Sequence, residues 1–148
     1  MLHRDLFVSI RPVHADKIIE GRKTVELRRR FAKHVNPGSL AYIYCTSPVQ
    51  ALVGYAIIKA VHRLPVGHIW RKHRSAACVS KAEFDLYFAG VADGFAIVLR
   101  DVRRFRKTIE VAQLRDRFGF VPPQSFRYVT DEYCHVLEHE RIQATYRH

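Results

Sequence analysis

Apolar and polar positions along this chain fall into patterns that predict strands more often than helices. "DLFVSI" (residues 5–10) is a short β-rich run closed by Arg11 and Pro12. Pro12 suits the first turn of a helix, where its missing N–H is not needed. "VHADKIIEG" continues that helix as far as Gly21, which can adopt the left-handed conformation that ends it. In "TVELR", Val25 and Leu27 point one way while Thr24, Glu26 and Arg28 point the other, the period of a half-buried strand with a charged face. "FAKHVNPGS" reads as a loop and "LAYIYC" as a second strand. After "TSPVQ", residues 51–63 predict a long strand that must bend, with Gly54 as the place for a bulge.

The second half is more helical. "VGHIWRKHRSAACV" predicts a short helix and a loop. "SKAEFDLYFAG" carries a capping box, Ser80 with Glu83, ahead of a stripe of Phe84, Tyr87 and Phe88, and Gly90 stops it. Residues 94–105 form a strand that is apolar first and basic afterwards, and "IEVAQLRDRF" supplies one or two helical turns. The two prolines of "VPPQSFRY" predict an irregular connector. The tail reads as a terminal helix, with Thr130 as N-cap and acids in its first turn. Strands outnumber helices and do not alternate with them, so the class is α+β. No repeat or linker divides the chain, so residues 1–148 are expected to form one domain, with 130–148 as a helical extension.

Charge changes the picture. Of 148 residues, 25 are Lys or Arg and 14 are Asp or Glu, giving +11 with histidines neutral. Such a field attracts polyanions, nucleic acid above all. No apolar run approaches the ~20 residues of a membrane-spanning helix. Cys45, Cys78 and Cys134 are scattered without C-x-x-C spacing. These features point to a cytoplasmic protein with reduced thiols.

The segment "SIRPVHADKIIEGRKTVELR" resembles the opening of the ASCH family, part of the PUA-like β-barrels. It carries the pattern G-x-K-x-x-E-x-R as Gly21, Lys23, Glu26 and Arg28. "PGSLAYIYCTSP" is similar to the family's turn and second strand, and "PPQSFRYV" to the close of a subgroup described as regulators. The resemblance implies a small bent PUA-like barrel of about five to six strands flanked by helices, with RNA as ligand in a basic cleft between them. Some members hydrolyse acetylated cytidine through a lysine, a threonine three residues later and a distant glutamate. Here the lysine is Lys23, but Glu26 takes the threonine's place and Ala77 aligns nearest to the glutamate. Other relatives degrade RNA.

Several constellations therefore carry two readings each. Lys23, Glu26 and Arg28 are either a phosphate site with an orienting carboxylate or an ion-paired surface. Tyr42 and Tyr44 share a strand face, as a stacking surface or as core tyrosines. Three basic clusters interleaved with aromatics, "RRRFAKH", "HIWRKHR" and "RRFRK", suit a single-stranded backbone or simply face solvent. His135 and His139 lie one helical turn apart without a third zinc ligand in sight, so no metal and no cofactor is expected. The leading expectation is an RNA- or nucleotide-binding domain. In it Lys23, Arg28 and Arg127 would meet phosphate, while Tyr44, Thr46, Ser47, Gln124 and Ser125 would meet base or sugar. The alternatives are a hydrolase using Lys23 and Glu26 on an acetylcytidine-type amide or on RNA, and a regulatory adaptor for an acidic protein.

Overall fold

The computed structural model describes residues 4–146; residues 1–3 and 147–148, the ends of the expected domain and of its helical extension, lie outside it. Six strands form one curled sheet in the order β2-β5-β4-β3-β1-β6. They are β1 (Leu6–Ile10), β2 (Val25–Arg28), β3 (Leu40–Cys45), β4 (Ala51–Pro65), β5 (Asp93–Glu110) and β6 (Phe126–Tyr128). A two-residue β7 (Thr145–Tyr146) pairs with β5. Five helices accompany them: α1 (Pro12–Ile19), α2 (Val66–Ala77), α3 (Lys81–Tyr87), α4 (Val111–Phe118) and α5 (Cys134–Gln143). The class is α+β, a barrel-like sheet with flanking helices.

The curl has a local cause. β4 and β5 pair over most of their length, but the register shifts three times, first between Leu52 and Gly54. Each shift bends and twists the ribbon. Gly54 is required at the first one, because a Cβ there would lie 2.3 Å from the Arg103 carbonyl oxygen and 2.9 Å from Cδ1 of Ile19. The bent ribbon lets the early part of β5 pair with β2, while β4 leads through β3 to β1, which runs parallel to β3.

Alternation along the strands sorts the core. Leu6, Val8, Ile43, Ile58 and Ile97 fill the inside of the curl together with Ala15, Ile18 and Ile19 of α1. On the outer face, Phe7, Tyr42, Tyr44, Leu52 and Phe105 pack under α4 and the tail, through Leu114, Phe120, Tyr133 and Leu137. Val25, Leu27 and Ala96 pack under α2 and α3.

Several expectations need correction. β2 is not half-buried: all four of its residues are buried, since Val25 and Leu27 meet the helices while Glu26 and Arg28 face into the curl. α2 is a full twelve-residue helix rather than a short one. The capping box of α3 is present in both directions, yet Tyr87 leaves the apolar stripe and is 40% exposed. The proline-rich connector ends in a true strand, β6, because it can pair with β1. Thr130 makes no side-chain cap; a 3₁₀ turn (Asp131–Tyr133) precedes α5, and after α5 the described residues continue into β7. No helix among the described residues is long and apolar enough to cross a membrane.

Candidate functional site

After α1, Gly21 at φ 81° turns the chain back and Lys23 is driven inward. The backbone N–H groups of Arg22 and Lys23 both donate to the Lys17 carbonyl, which fixes the turn. Lys23 is only 1% exposed, and its Nζ donates to the carbonyl of Ala77 at 2.5 Å. Ala77 is the last residue of α2, so the ammonium meets the negative end of a twelve-residue helix. Lys23 is therefore spent on the end of α2 and is not part of an ion-paired surface. Burial pushes its pKa down, and Glu26, with Oε1 at 3.6 Å, opposes that shift.

Arg28 has no nitrogen left for a phosphate. Nε and Nη2 both donate to Oε2 of Glu26, at 3.1 and 2.8 Å. Nη2 also donates to the Ser9 carbonyl at 2.8 Å, and Nη1 to Oγ of Ser125 at 3.1 Å. Because β2 and β6 are the two edges of the sheet, these bonds tie one edge to the strand and loop at the other and hold the curl closed. Ser9 strengthens the seam: its Oγ donates to the Pro123 carbonyl and its N–H to that of Ser125.

Over this seam lies a cavity of about 200 Å³ between the barrel, α1 and α3. Its polar lining is Ser9, Arg11, His14, Lys23, Glu26, Arg28 and Glu83, and its apolar walls include Ile10, Phe84 and Tyr87. Glu83 is spent on the α3 cap, where its Oε1 accepts the Ser80 N–H. His14 has a buried Nδ1 with no hydrogen-bond partner in the protein. Burial, then Lys23, lowers its pKa and favours neutral imidazole. Tyr87 is fixed by Arg29, whose backbone N–H donates to the phenol oxygen and whose Nη1 donates to the Tyr87 carbonyl. One exposed ring thus stands rigidly at the mouth.

The fold brings Lys23, Glu26, Arg28 and Ser125 together, as the motif suggested. Thr46 and Ser47 lie at the same end of the sheet, since the Thr46 N–H donates to the Ile10 carbonyl, and exposed Gln124 sits beside Pro123 on the seam. Two expectations fail. Tyr44 is 2% exposed in the outer core against Phe120, so it offers no stacking face. Arg127 pairs in register with Phe7 and its guanidinium lies 4.9 Å from the Phe120 ring centroid, on the outer face and away from the cavity. His14 and Tyr87 were missed. The spacing of Arg11, His14 and Lys17 along one helix face was the available signal for His14; none existed for Tyr87.

A curled sheet whose edge strand β2 is tied through Arg28 to Ser9 and Ser125, with a polar cavity under its first helix, is the arrangement of a PUA-like domain, and the relatives agree. The family model described as "Domain of unknown function (DUF365)" matches residues 9–118. The "ASCH domain-containing ribonuclease" of Zymomonas mobilis is 32% identical over 130 residues, spanning 87% of this chain and 86% of that one. The crystal structure of ASCH from Zymomonas mobilis superposes with a TM-score of 0.86 at 31% identity, over 91% of this chain and 94% of that one. The human THYN1 protein, solved in complex with 5-methylcytosine containing DNA, shares the fold alone: its TM-score is 0.54 at 12% identity, over 93% of this chain and 97% of that one. The chain belongs to the ASCH-domain family.

Proposed function

We propose that this protein binds RNA and that the cavity under α1 receives a single nucleotide of it. The observation that carries the reading is the buried Lys23–Glu26–Arg28 relay opening into a cavity with a fixed, exposed tyrosine at its mouth. At about 200 Å³ the cavity is below the ~300–1,000 Å³ of sites for drug-sized ligands and suits one ring system. Within it, Nζ of Lys23 donates, Oε1 of Glu26 accepts, and His14 presents one ring nitrogen of each kind. Arg28 acts as a positioning residue that orients Glu26. Tyr87 supplies the stacking face, and Arg11, Thr46, Ser47 and Gln124 line the approach for sugar and phosphate. The net charge of +11 supplies the long-range attraction.

The test is polarisation of a labelled single-stranded oligoribonucleotide across a salt series. Tyr87→Ala should weaken binding by roughly 1–3 kcal/mol, the worth of one stacked base. Arg11→Ala should lower the log–log salt slope by about 0.7. Both residues are accessible to solvent, so the variants keep the fold. Unchanged affinity and slope in both would reject the reading.

A second reading, RNA hydrolysis, is favoured by Lys23 lying buried in the cavity wall with Glu26 3.6 Å away, where burial lowers its pKa and so raises the share of neutral amine over that of an exposed lysine. The name of the Zymomonas relative makes phosphodiester cleavage the reaction to assay. Cleavage that survives in Lys23→Arg would remove Lys23 from that role. Amide hydrolysis of acetylated cytidine has less support, since Ala77 offers Lys23 a backbone carbonyl and no carboxylate.

A further inference from the structure

We propose a second nucleotide-binding site, on the outer face, in the cleft between the end of β5, α4 and α5. It measures about 350 Å³ and shares no lining residue with the cavity under α1. The floor is apolar: Ile109 and Leu114 belong to the outer core, with Phe118 and Val136 packed against it. Lys107 and Arg117 stand at the rim, both exposed. Among the described residues neither has a carboxylate partner within ion-pair distance. The guanidinium of Arg117 lies 5.0 Å from the Phe118 ring centroid.

The combination restricts the ligand. A purely apolar molecule would leave two cations unused, and a simple anion would leave the floor unused. A nucleotide uses both, with its base on the apolar floor beside Phe118 and its phosphate between Lys107 and Arg117. His135 and His139 face the same cleft one helical turn apart, and Glu140 is its one carboxylate. No group of three metal-ligating side chains gathers among the described residues. The imidazoles therefore fit better as additional hydrogen-bonding groups than as half of a zinc site. The surrounding chain reinforces the positive field: residues 103–118 hold Arg103, Arg104, Arg106, Lys107, Arg115 and Arg117 against Glu110 and Asp116. The third basic cluster of the sequence thereby gains a function, and so does α5, which lies beyond the residues matched by the family model.

This inference rests on the RNA-binding reading only for the class of ligand. The test is a methyl NMR titration of the whole chain with adenosine monophosphate, with inorganic phosphate as comparison. Saturable shifts of Ile109, Leu114 and Val136 with the nucleotide, lost in Lys107→Ala/Arg117→Ala, are the expected result. The same double variant should lower the salt slope for single-stranded RNA by about 1.4, two charges at ~0.7 each. Absence of the shifts, their survival in the double variant, or equal shifts with phosphate would overturn the proposal. Ile10 reports the cavity under α1 separately. Shifts at Val136 without shifts at Ile10 would sink the first reading and keep this one; the reverse would do the opposite.

Discussion

Arg28→Met removes a cation whose side chain is 10% exposed and leaves Oε2 of Glu26 buried with no donor. Losing one partner of a buried pair costs about 3–5 kcal/mol when the remaining charge is left unpaired, and Lys23, 3.6 Å from Oε1, keeps the cost toward the low end. The Ser9 carbonyl and the Ser125 hydroxyl lose a donor in the same step. Against a typical stability of ~5–15 kcal/mol the loss is large, and it corresponds to a melting temperature lowered by about 6–20 °C. Urea unfolding can be followed through Trp70, the single tryptophan, whose ring packs 5.1 Å from that of Phe84. The midpoint should fall with little change in slope. In a Glu26→Gln background the same substitution should cost less, with a coupling of about 0.5–3 kcal/mol. A cost below about 1 kcal/mol would refute the idea that Arg28 ties β2 to Ser9 and Ser125, and strict additivity would refute its dependence on Glu26.

Other consequences follow from the same packing. His62 and His73 share a hydrogen bond of 3.2 Å between Nδ1 and Nε2, linking β4 to α2, and burial lowers both pKa values, with Lys72 and His68 adding repulsion. The folded state thus prefers the neutral pair, so its contribution is complete above the unfolded histidine pKa of about 6.5 and is lost as pH falls below it. Denaturation at a series of pH values should show that loss, and His73→Phe should flatten it; an identical pH profile would count against the link. Gly54→Ala would drive a Cβ against the Arg103 carbonyl, a backbone atom that cannot swing away. It should cost about 1–3 kcal/mol in urea unfolding, the usual range for overpacking, and a neutral effect would mean that β4 and β5 approach less closely than described.

The first five strands and the cap of α3 were legible because they rest on local chemistry, while β6, β7 and the Thr130 cap were not. Ser80 and Glu83 are three residues apart and cap α3 as read, and Gly21 and Gly54 stand where the backbone needs no Cβ. The G-x-K-x-x-E-x-R spacing also put three charged groups on one short turn and strand, where they do meet. Their surroundings were not legible. Whether Glu26 and Arg28 face solvent or the inside of a curl depends on how far β4 and β5 bend, which is set by register shifts between residues some fifty positions apart.

The same division holds for the ligand side chains. Period-two alternation fixed that Tyr42 and Tyr44 share a face, but α4 and the tail decided that this face is covered. Arg127 is close in sequence to Ser125, yet one lies over the outer core and the other bonds Arg28, because Arg127 pairs with Phe7 inside β6 while Ser125 lies in the loop before that strand. From the hydrophobic pattern and composition came the class and the positive field, and from the resemblance to the ASCH family the membership of the buried triad. Only the closed sheet decided which cations remain free, since a guanidinium that must satisfy its own buried carboxylate has nothing left for a phosphate.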